Sequence, residues 1–145
     1  MKKEWKKLAK TLEAYALSLP GAWLDHPWGE TVAKVGKKVF VFNVNVVTEK
    51  DDKTYPPGIS VKLRPSHAAV SKKRFAAPTG YGLGKSGWVS IFFDRGVVPS
   101  EDELKSWIRE SYCLVAPAKL AKQVMAESVA PKRSKRPARR AKTKV

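Results

Sequence analysis

Basic side chains next to aromatic side chains form the pattern in this sequence with the clearest chemical meaning. Basic groups can hold a phosphate backbone while aromatic rings stack on bases. The residues that fit this pattern lie between positions 62 and 88: Lys62, Arg64, Lys72, Lys73, Arg74, Tyr81, Lys85 and Trp88. An alternative is that the two aromatic residues are core or loop anchors and that the lysines only solvate a surface. We favour packing for Trp88, which begins an apolar run, and binding for Lys85, which lies between glycines.

A second basic segment ends the sequence. Residues 131–145 contain eight basic and no acidic residues among prolines and alanines: Lys132, Arg133, Lys135, Arg136, Arg139, Arg140, Lys142 and Lys144. Such a composition cannot bury a core and predicts a disordered arm. The arm could neutralise phosphates and release their counterions; with about six phosphates contacted on duplex DNA, the log-log salt slope would be near −5. The alternative is a tail that only improves solubility.

The overall charge supports an acidic partner. The chain has 29 Lys+Arg against 13 Asp+Glu, a formal net charge of +16, which exceeds what solubility requires. Removing the eight basic residues of 131–145 from the 29 leaves 21 against 13, so residues 1–130 carry about +8. The charge is therefore concentrated at the C-terminus, but the rest of the chain is basic too.

Catalytic and metal-binding patterns are weak. His26 and His67 are not spaced as metal ligands with Cys113, and Asp25-His26 is better explained by a loop hydrogen bond than by proton transfer. The single cysteine excludes an internal disulfide, and no basic neighbour indicates a nucleophilic thiol. We therefore predict no enzyme activity, no metal and no cofactor.

Glycines at 80, 82 and 84 suggest a phosphate-binding loop, but the context argues against one. A nucleotide loop follows a strand and precedes a helix, whereas this loop leads into the apolar run that starts at Trp88. The P-loop spacing before Gly84-Lys85-Ser86 would also require glycine where Thr79 stands. We do not predict nucleotide binding.

The elements that must position these residues alternate between helix and strand. Apolar residues at steps of three or four predict a first helix that ends at Pro20-Gly21, and residues 22–30 are interpreted as a loop whose tryptophans cover the core. Strands are predicted at 31–35, 39–47, 58–63 and 88–93, with a hairpin at 36–38, an exposed excursion at 48–57 and a short helix within 65–75. Ser100-x-x-Glu103 is a capping box that begins a helix over 101–116, and a last helix runs from 117 to about 130.

This order predicts an α+β fold, in which helices pack on one face of a mostly antiparallel sheet. The domain organisation is one α+β domain over residues 1–130 and a disordered basic tail over 131–145. No signal peptide or membrane span is indicated, and a cytoplasmic monomer, with association with the nucleoid left open, is the expectation.

Several short motifs resemble the MmcQ/YjbR family of small, mainly bacterial proteins, over roughly residues 10–125. They are Leu19-Pro20-Gly21, Trp28, Lys34-Val35, Val61-Lys62, Pro78, Tyr81-x-Leu83-x-Lys85-x-x-Trp88 and Ser111-Tyr112. The resemblance implies a fold like bacterial frataxin, and DNA binding has been proposed for the family. Gly84 departs from the pattern, since many members have asparagine there. Iron binding, which the frataxin likeness raises, is not expected because the first helix carries lysines where frataxin has an acidic ridge.

Two functions remain open at this stage. The leading hypothesis is a DNA-binding protein with little sequence specificity, which uses the basic surface from Lys62 to Lys85 and the tail. The alternative is a module that binds a small ligand or a protein near Trp28, Tyr81 and Trp88, with the tail serving localisation or solubility.

Overall fold

The computed structural model describes residues 3–26, 31–42, 58–79 and 83–129. In these ranges the chain forms four α-helices and six strands. In chain order they are α1 (Lys3–Ser18), β1 (Ala22–Asp25), β2 (Val32–Val35), β3 (Lys38–Phe42), β4 (Gly58–Lys62), α2 (His67–Ser71), β5 (Ala76–Pro78), β6 (Trp88–Phe92), α3 (Glu101–Val115) and α4 (Ala118–Val129). None of the helices in these ranges is both long and apolar enough to cross a membrane.

The strands form one sheet in the order β1-β2-β3-β4-β6-β5, and each neighbouring pair is antiparallel. Strands β4 and β5 both pair with β6 and so run in the same direction, and α2 lies on the connection between them. The predicted α+β class is confirmed. The predicted hairpin, the strands that follow it and the short helix also agree with the structure where residues are described.

The core lies between one face of the sheet and the helices α1 and α3. Along β4 and β6, Ile59, Val61, Val89 and Ile91 point to this face and are at most 2% exposed. Alternate residues of the same strands point to the opposite face, as the two-residue period of a strand requires. Each of these buried aliphatic side chains contributes about 1.5–3 kcal/mol relative to an exposed one, so the core face fixes the register of the central strands.

Ser111 of α3 links β3 and β4 at the end of the sheet that contains Lys62. Within the described residues, β3 pairs with β4 at Val41↔Val61 and Phe42↔Ser60. At the next position towards Lys62, the Ser111 hydroxyl bridges the two strands. It donates to the Phe40 carbonyl at 2.5 Å and accepts from the Lys62 amide at 2.9 Å. A fully buried serine therefore connects the two strands.

The structure corrects one prediction and confirms another. Residues 22–25 are strand β1 and not a loop, and Trp23 is 43% exposed instead of covering the core. The capping box at the start of α3 is present, with both Ser100 and Glu103 making the expected hydrogen bonds. Residues 43–57, which include the end of the second predicted strand and the excursion, lie outside the described residues.

Candidate nucleic-acid interface

Five basic residues meet at one end of the sheet. Strand β4 ends there at Lys62, which pairs with Trp88 at the start of β6. Strand β3 runs antiparallel to β4 and begins at Lys38, so the β2–β3 hairpin turns at the same end. We call this set the basic end: Lys37, Lys38, Lys62, Arg64 and Lys85. Lys62 is half-buried and the other four are exposed.

Backbone hydrogen bonds hold Lys85 at this end. Residues Leu83–Ser86 form a single 3-10 turn, which the Gly84 amide ties to the Thr79 carbonyl at 3.0 Å. The Leu63 amide then donates to the Gly87 carbonyl at 2.9 Å. Gly87 has φ +97°, a conformation that favours glycine, and this lets the turn close against the residue that follows β4. The turn and the end of β4 are thus one unit.

The positive charge of the basic end is not neutralised by the part of the chain that the structure describes. No carboxylate of the described residues lies within 4.0 Å of its nitrogen atoms, and ion pairs such as Lys34–Asp25 and Lys105–Glu101 lie elsewhere. Glu110 approaches Arg64, but its carboxylate accepts from the Arg64 and Ser66 amides and from the Ser66 hydroxyl, at 2.8, 3.2 and 2.7 Å. Among the described residues, none places a carboxylate on the Arg64 guanidinium.

Three of the predicted basic residues lie away from this end. Lys72, Lys73 and Arg74 are exposed in the turn between α2 and β5. The Phe92 amide donates to the Phe75 carbonyl, which places this turn level with the far end of β6. Strand β4 is five residues long, so the two ends are about 13 Å apart along the strands. The predicted surface is therefore split between opposite ends of the sheet.

Trp88 packs inside the protein and is not presented to a ligand. It is 7% exposed and meets Phe42 edge to face, with ring centroids 4.9 Å apart. Beside it, the Ser90 hydroxyl lies 2.8 Å from the Ser60 hydroxyl and 3.0 Å from that of Thr79. With so little free ring surface, Trp88 cannot stack on a base. Its inclusion among the predicted binding residues was wrong, and its role is packing.

The remaining predicted binding residues belong to other parts of the chain. Tyr81 and the tail residues Lys132 to Arg140 lie outside the described ranges, as does Trp28 of the alternative ligand-binding hypothesis. A groove of about 430 Å³ lies elsewhere, between α3, α4 and the start of α2, and no aromatic residue is among those that line it. It does not correspond to the pocket that the alternative requires.

The candidate catalytic groups have structural partners. The Asp25 carboxylate accepts from the His26 backbone amide at 2.8 Å and from Lys34 at 2.7 Å, and the His26 Nδ1 atom contacts the Thr31 hydroxyl at 3.2 Å. The predicted loop hydrogen bond is thus confirmed. The hydrogen bond from Lys34, followed by that from the His26 amide, lowers the pKa of Asp25.

Within the described residues, the surroundings of Cys113 do not favour a thiolate, and no cluster of side chains could hold a metal ion. Burial raises the pKa of the Cys113 thiol, which opposes formation of a thiolate at neutral pH. No group of three or more His, Cys, Asp or Glu side chains within ranges 3–26, 31–42, 58–79 and 83–129 could hold a metal ion.

The Ser111-Tyr112 pair also has a structural explanation. Ser111 connects β3 to β4, and the Tyr112 hydroxyl donates to the Pro20 carbonyl at 2.7 Å. The Tyr112 ring meets Phe40 edge to face at 5.3 Å. Both side chains position the sheet, and Ser111 in particular holds the backbone at Lys62, so the motif supports the basic end without touching a ligand.

Sequence reasoning missed three residues near this surface. Lys37 and Lys38 were interpreted only as hairpin residues, because their proximity to Lys62 depends on strand order and register. The Gly36-Lys37-Lys38 spacing indicated an exposed turn, but not which strands lie beside it. Trp23, which was expected in a loop that covers the core, is exposed next to the same hairpin.

Comparison with known proteins supports the resemblance. The YjbR family model matches residues 17–114. Among solved structures, this chain is similar to the Deinococcus radiodurans protein DR2400, which has a DUF419 domain, at 23% identity and a TM-score of 0.58, over 80% of this chain and 86% of that one. At this identity the likeness concerns the fold alone. No curated protein matches. Because the family model covers more than half of the sequence, the chain belongs to the YjbR family.

Proposed function

We propose that this protein binds DNA with little sequence specificity, through the basic end and the C-terminal tail. The observation that carries the proposal is the convergence of five basic residues from three separate segments at one end of the sheet, with no neutralising carboxylate among the described residues. The eight basic residues of 131–145 add a second source of phosphate contacts.

The chemistry of the basic end favours the backbone of DNA over its base edges. Four of its five members are lysines, which act as point charges and lack the forked geometry of arginine. They project from a hairpin, a strand end and a single turn, and not from a helix that could enter the major groove. Phosphate contacts of this kind give affinity and orientation but carry no sequence information.

A charge-matched pair of variants tests the proposal. The first replaces Lys37, Lys38 and Lys85 with glutamine, and the second replaces Lys72, Lys73 and Arg74 with glutamine. Each removes three charges from exposed positions, but at opposite ends of the sheet. Binding of a labelled duplex is followed by fluorescence anisotropy across a salt series.

We expect the first variant to lose affinity and to have a shallower salt dependence, by up to about 2.7 in log-log slope if each lysine contacts one phosphate. The second variant should stay close to the parent protein, and duplexes of different sequence should bind alike. If both variants lose affinity equally, only net charge matters and the basic end is not the site. If the parent protein does not bind duplex DNA at low salt, the proposed function is wrong.

A further inference from the structure

We infer that Trp23 is a stacking platform for an unpaired base, so that the basic end holds single-stranded nucleic acid more tightly than duplex. This inference rests on the proposed function and names the form of nucleic acid that the same site prefers. It starts from an aromatic side chain that contributes little to the core: Trp23 is 43% exposed on β1, the edge strand of the sheet.

The Trp23 ring is held in place although it is exposed. Its indole N–H donates to the Gly36 carbonyl at 3.0 Å. The Lys34 ammonium lies over the ring, 5.2 Å from its centroid, and is itself bound to the Asp25 carboxylate at 2.7 Å. A ring that is already oriented loses little conformational entropy when a base stacks on it. Stacking on Trp23 would therefore have a low entropic cost.

Trp23 is also next to the basic end. Its hydrogen-bond acceptor, Gly36, directly precedes Lys37 and Lys38 in the β2–β3 hairpin. The cross-strand pairs Trp23↔Lys34 and Lys34↔Val39 place the ring on the sheet face opposite the core. Lys62 points to the same face through its pairing with Trp88. Lys38 pairs with the buried Val35 and points to the other face, whereas a backbone held by Lys62 would lie on the same face of the sheet as the ring.

This combination of an aromatic surface with a track of basic groups is the one that single-strand-binding proteins use, because every base has a π-face and stacking tolerates any sequence. In a duplex the bases are already stacked on one another and cannot use the ring without being unstacked. Trp23 therefore adds affinity for single strands alone, while the lysines add affinity for both forms.

The test compares Trp23→Ala and Trp23→Phe with the parent protein, using a thymidine oligonucleotide and a duplex at low salt. Val97→Ala is the matched control, because Val97 is an exposed apolar residue, 75% exposed, outside the basic end. We expect Trp23→Ala to weaken binding of the thymidine oligonucleotide by about 5- to 150-fold, the loss of one stacked base. Duplex binding and the salt slope should be unchanged, Trp23→Phe should retain most of the affinity, and Val97→Ala all of it.

The outcomes separate this inference from the proposed function. If Trp23→Ala binds the thymidine oligonucleotide like the parent protein while the Lys37, Lys38 and Lys85 variant loses affinity, the stacking platform is refuted and the basic end stands. An equal loss for duplex and single strand in Trp23→Ala also refutes stacking, since the ring would then act on both forms. Absence of binding of either nucleic acid to the parent protein overturns both proposals.

Discussion

Replacing Ser111 with alanine tests how much one buried hydroxyl contributes to the link between β3 and β4. The substitution leaves the Phe40 carbonyl and the Lys62 amide without their partner, in a place where Ser111 itself is 0% exposed. An unsatisfied buried polar group costs about 1–3 kcal/mol. For two such groups we expect the free energy of unfolding to fall by about 2–6 kcal/mol, with a decrease in Tm of roughly 10–20 °C for a chain of this size.

The measurement is urea unfolding followed by tryptophan fluorescence, with Ser106→Ala as the matched control. Ser106 lies on the same helix, and its hydroxyl donates to the Glu103 carbonyl at the exposed surface, so this substitution changes helix propensity equally but leaves no buried group unpaired. We expect the control to remain within about 0.5 kcal/mol of the parent protein. A similarly small effect of Ser111→Ala would show that the Phe40 carbonyl and the Lys62 amide do not depend on the Ser111 hydroxyl, and the reasoning would be wrong.

Two further substitutions test local features of the fold. Gly87 and Gly96 both have positive φ, but an alanine Cβ at Gly87 would lie 2.9 Å from the Leu63 carbonyl oxygen, whereas an alanine Cβ at Gly96 would point into open space. Gly87→Ala should therefore lower the free energy of unfolding by about 1 kcal/mol or more beyond Gly96→Ala; equal losses in urea unfolding would contradict this. The pKa of Asp25 is lowered in the folded state by Lys34, so the pair adds stability above the ordinary aspartate pKa and loses it as the pH falls through the folded value. Asp25→Asn should remove this acid-side loss, and unfolding curves that differ from the parent protein by a constant amount at every pH would refute it.

Local signals in the sequence predicted several elements well. The capping box at Ser100 and Glu103 defined the start of α3, because both partners of the motif lie within one helical turn. Strand β1 was missed for the opposite reason. Of its residues Ala22 to Asp25 only Trp23 favours a strand, and the segment becomes a strand by pairing with β2.

The binding surface could be predicted only in part. Lys72 to Arg74 follow Lys62 closely in sequence, but α2 carries the chain to the other end of the sheet, so nearness in sequence did not mean nearness in space. Lys37 and Lys38 are the converse case: they are distant from Lys62 in sequence, and strand register brings them to the same end. Charge patterns identify basic residues, but topology decides which of them share a surface.

The bridge that Ser111 makes between β3 and β4 affects the order in which the chain can fold. Ser111 lies 71 residues after Phe40 and 49 after Lys62, so the bridge belongs to the long-range contacts that form slowly. During synthesis both strands leave the ribosome well before α3 does. Until α3 is available, the Phe40 carbonyl and the Lys62 amide lack the partner that joins them, and backbone groups left open at a strand edge can associate with other chains. Completion of the sheet, and with it the basic end, therefore waits for the C-terminal third of the protein.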